Sequence, residues 1–82
     1  MKYKIYFKPT CPYCMKVIDF IEKEDIKVKL INVKINILGK QKLIQEGGMM
    51  QVPCLQVNNE SEIIKDEWIY ESEDIIKYLS KN

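Results

Sequence analysis

At 82 residues the chain has the length of one small domain, so a single unit spanning 1–82 is expected. Thirteen basic residues, all lysine, stand against twelve acidic ones for a net charge of +1, and there is no arginine or histidine. This argues against a nucleic-acid binder, which relies on a basic excess and the arginine fork, and it excludes a hydrolase built on a histidine base. With 46% hydrophobic and 30% charged residues the composition is that of an ordinary soluble globule. Met1-Lys2-Tyr3-Lys4-Ile5 alternates charge with apolar side chains and makes no signal-peptide core. The apolar stretch Ile35–Leu38 is broken by Asn36 and flanked by Lys34 and Lys40, so no membrane span is expected. Three cysteines, an odd number, do not suit a secreted disulfide scaffold. A cytoplasmic location is the expectation.

Tyr3 to Phe7 alternates with period two and predicts a strand, ended by Lys8-Pro9-Thr10. Cys14, Val17, Ile18 and Ile21 recur at helical spacing, with Pro12 suited to the first helical position and Cys11 to the N-cap. Lys27 to Ile35 reads as a second strand, apolar on both faces and so expected inside the sheet. A short helix is predicted from Gly39 or Lys40 to Glu46, closed by Gly47-Gly48. After Val52-Pro53, Cys54 to Val57 forms a third strand, Asn58-Asn59 a turn, and Glu62 to Tyr70 a fourth strand. The last helix is expected to start near Ser72, an N-cap residue type, with Glu73 and Asp74 in its first turn and Ile75, Ile76 and Leu79 buried. The order is βαβαββα, an α/β domain.

Cys11-Pro12-Tyr13-Cys14 is the most informative motif. Two buried core cysteines are the plainest reading. A zinc half-site is a second, although Cys54 would supply only a third sulfur and there is no histidine. A redox pair needs less: a cysteine at a helix N-terminus meets unpaired N–H groups and the positive dipole end, which favour thiolate over thiol. Cys14, one turn further on, is then placed to attack a disulfide formed on Cys11. A CxxC that follows a strand and opens a helix within a βαβ pattern is strong evidence for a thioredoxin-like redox motif.

Lys8-Pro9-Thr10-Cys11-Pro12-Tyr13-Cys14, Val52-Pro53 and Glu71-Ser72-Glu73-Asp74-Ile75 together resemble a dithiol glutaredoxin, over nearly the whole chain and in the family's order. The resemblance implies a thioredoxin-like fold, with a central four-stranded mixed sheet, helices on both faces, and a cis proline at Pro53 facing the thiols. It implies Cys11 as nucleophile, Cys14 as resolving thiol, and glutathione as electron-donating co-substrate with no bound cofactor or metal. Carried over residue by residue, the family's glutathione site implies Lys8 near the glycyl carboxylate and Tyr13 flanking the glutathione sulfur. It implies the Val52 backbone pairing with the cysteinyl unit beside the cis Pro53, and Ser72 and Glu73 receiving the γ-glutamyl end. Lys40 matches a second contact to the glycyl carboxylate, and is equally well read as a solvated helix lysine.

Three departures qualify the likeness. Gln51 stands where the family usually has threonine, and Ile69, Tyr70 and Glu71 replace its Gly-Gly. The Tyr-Glu-Ser run instead resembles the N-terminal domain of glutathione transferases, which brings Glu71 into the glutathione site. The connection from Val57 to Tyr70 is longer than the family's hairpin, and its charged tip of Glu60, Glu62, Lys65, Asp66 and Glu67 reads as a solvated loop. Cys54 reads first as a small buried hydrophobe and second as a redox thiol, and Trp68 as a packing residue. The resulting expectation is a monomeric glutathione-dependent thiol–disulfide oxidoreductase acting on protein disulfides and glutathionylated proteins. The alternatives are a redoxin reduced by a thioredoxin reductase and a glutathione-ligated iron–sulfur carrier.

Overall fold

The computed structural model describes residues 2–60 and 63–81. The elements run β1 (Tyr3–Phe7), α1 (Pro12–Lys23), β2 (Lys29–Asn32), α2 (Ile37–Lys42), β3 (Cys54–Val57), β4 (Glu67–Tyr70) and α3 (Ser72–Ser80). One sheet has the strand order β2-β1-β3-β4, with β1 and β2 parallel and the other pairs antiparallel. Alternation along β1 divides the core in two. Ile5 joins Leu55 and Val57 of β3 beneath Val17 and Ile21 of α1 and Ile75 and Leu79 of α3. Tyr6 faces the other way, with Ile31, Val33, Cys54 and Leu43. Helices therefore cover both faces, as in a thioredoxin-like fold.

Several expectations are corrected. β2 is an edge strand and shorter than predicted, pairing only with β1. Its two-sided apolar character has another cause: Val28 packs toward α1 and α3, Ile31 and Val33 toward α2, and Leu30 is 45% exposed. α2 begins earlier than predicted, because the Asn36 side chain caps it by accepting the Gly39 N–H at 2.8 Å. A π-helical turn, Leu43–Gly47, continues it, and Gly48 ends it at φ 91°. Gly47 is required by packing, since a Cβ there would lie 2.6 Å from the Tyr70 hydroxyl and 2.9 Å from the Trp68 ring.

β4 begins at Glu67, later than expected, and Glu62 lies outside the described residues. Asp66 is not part of a merely solvated tip. It accepts hydrogen bonds from Gln56 Nε2 at 2.7 Å and from the Asn59 N–H at 3.2 Å. The buried Gln56 in turn accepts the Tyr6 hydroxyl at 2.6 Å, so a polar relay runs from the core to this loop. Trp68 packs as predicted, its ring 5.6 Å from that of Tyr6. Ser72 is the first residue of α3 rather than its cap. Glu71 takes the cap position, at φ 72° and with no side-chain capping bond. Among the described residues no helix is long and apolar enough to cross a membrane.

Candidate active site

β1 delivers the chain to a tight turn in which the Cys11 N–H donates to the Lys8 carbonyl at 3.2 Å. Pro12 then opens α1, and Cys11 is its N-cap: the Cys11 Sγ accepts the Cys14 N–H at 3.3 Å. The helix thus presents one of its otherwise unpaired N–H groups to the first sulfur. The two cysteines differ in environment. Cys11 is partly exposed, whereas Cys14 is fully buried on the apolar stripe it shares with Val17, Ile18 and Ile21. Burial pushes the Cys14 thiol up to about 12, against a lowering hydrogen bond from the Lys8 backbone and with a smaller raising contact from Cys11. At neutral pH the inner sulfur is a thiol and the outer one faces solvent.

Next to this pair lies a cavity of about 560 Å³, lined by Tyr13, Lys16, Gln51, Val52, Pro53, Glu71, Ser72, Glu73 and Asp74. It has the size of a small-ligand pocket. Three segments remote in sequence meet here: the first turn of α1, the loop before β3, and the start of α3. The Val52–Pro53 peptide is cis. Gln51 Nε2 donates to Glu71 Oε1 at 3.0 Å, joining the second and third segments. The first N–H groups of α3 open at its start, ahead of the Ile75 N–H that bonds the Glu71 carbonyl at 3.0 Å.

Of the residues singled out from sequence, Tyr13, Val52, Pro53, Glu71, Ser72 and Glu73 share this cavity, while Lys8 and Lys40 do not line it. The Lys8 backbone contacts both cysteines, and Lys40 lies in the last turn of α2. Sequence reasoning missed Lys16, Gln51 and Asp74 as cavity residues. Lys16 had a signal: it follows Tyr13 by three positions, on the helix face away from the buried stripe. Gln51 had none, because only the tertiary fold brings it to Glu71. Cys54 is buried on the opposite, α2 side of the sheet. Burial raises its thiol to about 12, against a hydrogen bond with Tyr70, whose hydroxyl also donates to the Met49 carbonyl at 3.2 Å. Among the described residues no three cysteine or carboxylate side chains converge to hold a metal ion.

The sequence model of the glutaredoxin family matches residues 4–62, which include the strand, the thiol pair and the cis-proline loop. The chain belongs to the glutaredoxin family. Its match to a "Probable Thioredoxin" of Methanothermobacter marburgensis is 30% identical over 60 residues, 71% of each protein. Among solved structures, the thioredoxin-like protein BC3987 superposes with a TM-score of 0.77, at 19% identity over 98% of this chain and 97% of that one. The holo form of glutaredoxin C1 from Populus tremula x tremuloides gives a TM-score of 0.70, at 17% identity over 99% and 76%. At those identities the likeness is one of fold. This glutaredoxin-family chain is a thioredoxin-like redox protein, and its partly exposed Cys11 and buried Cys14 are consistent with a CxxC-type site.

Proposed function

We propose that this glutaredoxin-family protein exchanges thiols with disulfides using glutathione as reductant. The observation that carries the exchange reading is the asymmetry of the pair: Cys11 is partly exposed at the helix start, and Cys14 is buried as a thiol beside it. In the dithiol route the Cys11 sulfur attacks a substrate disulfide, one substrate sulfur leaves as thiolate, and a mixed disulfide forms. Cys14 then gives up its proton and displaces the second substrate sulfur. The substrate ends as two thiols and the protein as a Cys11–Cys14 disulfide. Two glutathione molecules restore the dithiol and leave as glutathione disulfide. In the monothiol route Cys11 takes glutathione from a mixed disulfide and a second glutathione releases it.

The adjoining cavity supports glutathione as the co-substrate. A γ-glutamyl end carries a carboxylate, suited to the α3 N-terminus, and an ammonium, suited to Glu71 or Glu73. Val52, which would pair with the cysteinyl backbone, and Tyr13, which would flank the sulfur, line the same cavity. Lys16 supplies a cation at the cavity wall for a second carboxylate. The names of the methanogen relatives favour a second reading, in which a thioredoxin reductase supplies the electrons.

Reduction of a small glutathione mixed disulfide, driven in parallel by glutathione with glutathione reductase and by thioredoxin reductase, separates the two. Turnover with glutathione is expected. Turnover with thioredoxin reductase alone would give the second reading its place. Cys11→Ser is expected to abolish exchange, while Cys14→Ser spares deglutathionylation and impairs reduction of protein disulfides. Retained activity in Cys11→Ser would refute the mechanism.

A further inference from the structure

A second surface flanks the thiols, and the exchange chemistry described above leaves it unused. β1 and β2 are parallel, so the turn after β2 emerges at the same end of the sheet as Cys11. The cavity lies toward β3 and α3, whereas this turn lies on the β2 side. The turn is tightly built: the Asn32 side chain accepts the Lys34 N–H at 3.0 Å, and the Asn32 carbonyl accepts the N–H groups of Ile35 at 3.2 Å and Asn36 at 2.9 Å. Val33 anchors it in the core, its N–H donating to the Phe7 carbonyl at 3.0 Å. On this scaffold Ile35, Ile37 and Leu38 stand out at 78%, 70% and 79% exposure.

The lysines local to them are Lys34, within the turn, and Lys40, one helical turn after Ile37. Residues 26–45 hold Lys27, Lys29, Lys34, Lys40 and Lys42 and no carboxylate, whereas the cavity on the far side of Cys11 holds Glu71, Glu73 and Asp74. Lysines flanking exposed aliphatic side chains match an apolar surface edged with carboxylates.

We propose that the turn 33–38 and the neighbouring lysines are the docking surface for a protein disulfide substrate whose disulfide is flanked by acidic and aliphatic residues. The position identifies the occupant as a protein. A surface at the thiol end of the sheet meets whatever carries the disulfide, and none of residues 33–38 lines the cavity in which a small disulfide would sit. The inference rests on the exchange reading but not on glutathione. In a single turnover the reduced protein cleaves the substrate's S–S bond, the two thiol protons pass to the substrate sulfurs, and Cys11 and Cys14 join.

The test uses pre-reduced protein in single turnover with two peptides of equal length, each closed by one disulfide. One carries aspartate and leucine beside the disulfide, the other lysine and leucine, and hydroxyethyl disulfide serves as a neutral small substrate. The acidic peptide is expected to react about tenfold faster at low salt, because steering by surface charge raises association rates by roughly that factor or more. High salt is expected to remove the difference. Lys34→Glu is expected to cut the preference at least threefold, and Leu38→Ser to slow both peptides, each leaving hydroxyethyl disulfide unchanged. Equal rates for the two peptides, or a preference that survives both salt and Lys34→Glu, would overturn the inference. Equal peptide rates together with Leu38-dependent sedimentation on phosphatidylserine vesicles would overturn it in favour of a lipid surface. Failure to reduce hydroxyethyl disulfide would overturn the exchange reading itself, and the docking surface with it.

Discussion

Glu71 is the residue at which local preference and tertiary demand conflict most plainly. Its φ of 72° lies where side chains are disfavoured, and the family usually places glycine in this stretch. The carboxylate holds Gln51 across the cavity, giving the side chain a use that glycine lacks. Glu71→Gly and Glu71→Ala both remove that contact, but only alanine keeps the backbone strain. The glycine variant is therefore expected to be more stable than the alanine variant by about 1–3 kcal/mol, measured by urea unfolding. Glu73 offers a second residue-scale test. If its carboxylate meets a ligand ammonium, Glu73→Gln should raise the glutathione requirement of turnover about tenfold, the equivalent of roughly 1.4 kcal/mol. The alkylation rate of Cys11, governed by the other helix, should be unchanged.

Among the elements, β3 joins the two layers. Leu55 and Val57 enter the α1 and α3 core, while Cys54 and Gln56 point the other way. A fully buried glutamine is tolerated there because Tyr6 donates to its oxygen and Asp66 accepts from its amide. Tyr6→Phe leaves the Gln56 oxygen without that donor in a buried site. A loss of about 1–3 kcal/mol is expected, read by urea unfolding, and the small-disulfide activity should persist because Tyr6 faces the other side of the sheet and does not line the cavity. The π turn after α2 works on the same layer. Gly47 lets it approach Trp68 and Tyr70, and the Tyr70 hydroxyl ties the Met49 carbonyl at the head of the loop leading to Pro53.

At the scale of the whole molecule, the interior favours neutral forms of its acids. Burial raises the thiols of Cys14 and Cys54 and the phenols of Tyr6 and Tyr70 to about 12, from ordinary values of 9.0 and 10.0. Above pH 9 the unfolded chain releases these protons before the folded one does, so the folded state binds more protons and stability falls as pH rises. Lys4, lowered by burial and its lysine neighbours, acts in the opposite sense as a single group. The urea midpoint is expected to fall between about pH 9 and 12, and Cys54→Ala should lessen the slope. A midpoint unchanged up to pH 11 would contradict this account.

The sequence by itself determined what depends on short-range spacing. Pro12 at the first helical position, Cys11 as its cap and Cys14 on the buried stripe follow from helix geometry, and β1 and β3 follow from alternation bounded by prolines and asparagines. Family resemblance marks Tyr13, Val52, Pro53, Glu71, Ser72 and Glu73 as candidate site residues, and the fold gathers them around one cavity. Tertiary structure alone decided the rest. An apolar strand at a sheet edge reads the same as an inner one when helices cover both faces, so the place of β2 was not legible. Asp66 looked like a solvated charge until Gln56, ten residues away, came within 2.7 Å of it. α3 takes in Ser72 as its first residue, and the cap position falls to Glu71 where the chain turns out of β4, a backbone conformation that residue preference opposes. Lys16 and Gln51 became cavity residues only when α1, the proline loop and α3 met, because local pattern records which face a side chain occupies and not what that face will meet.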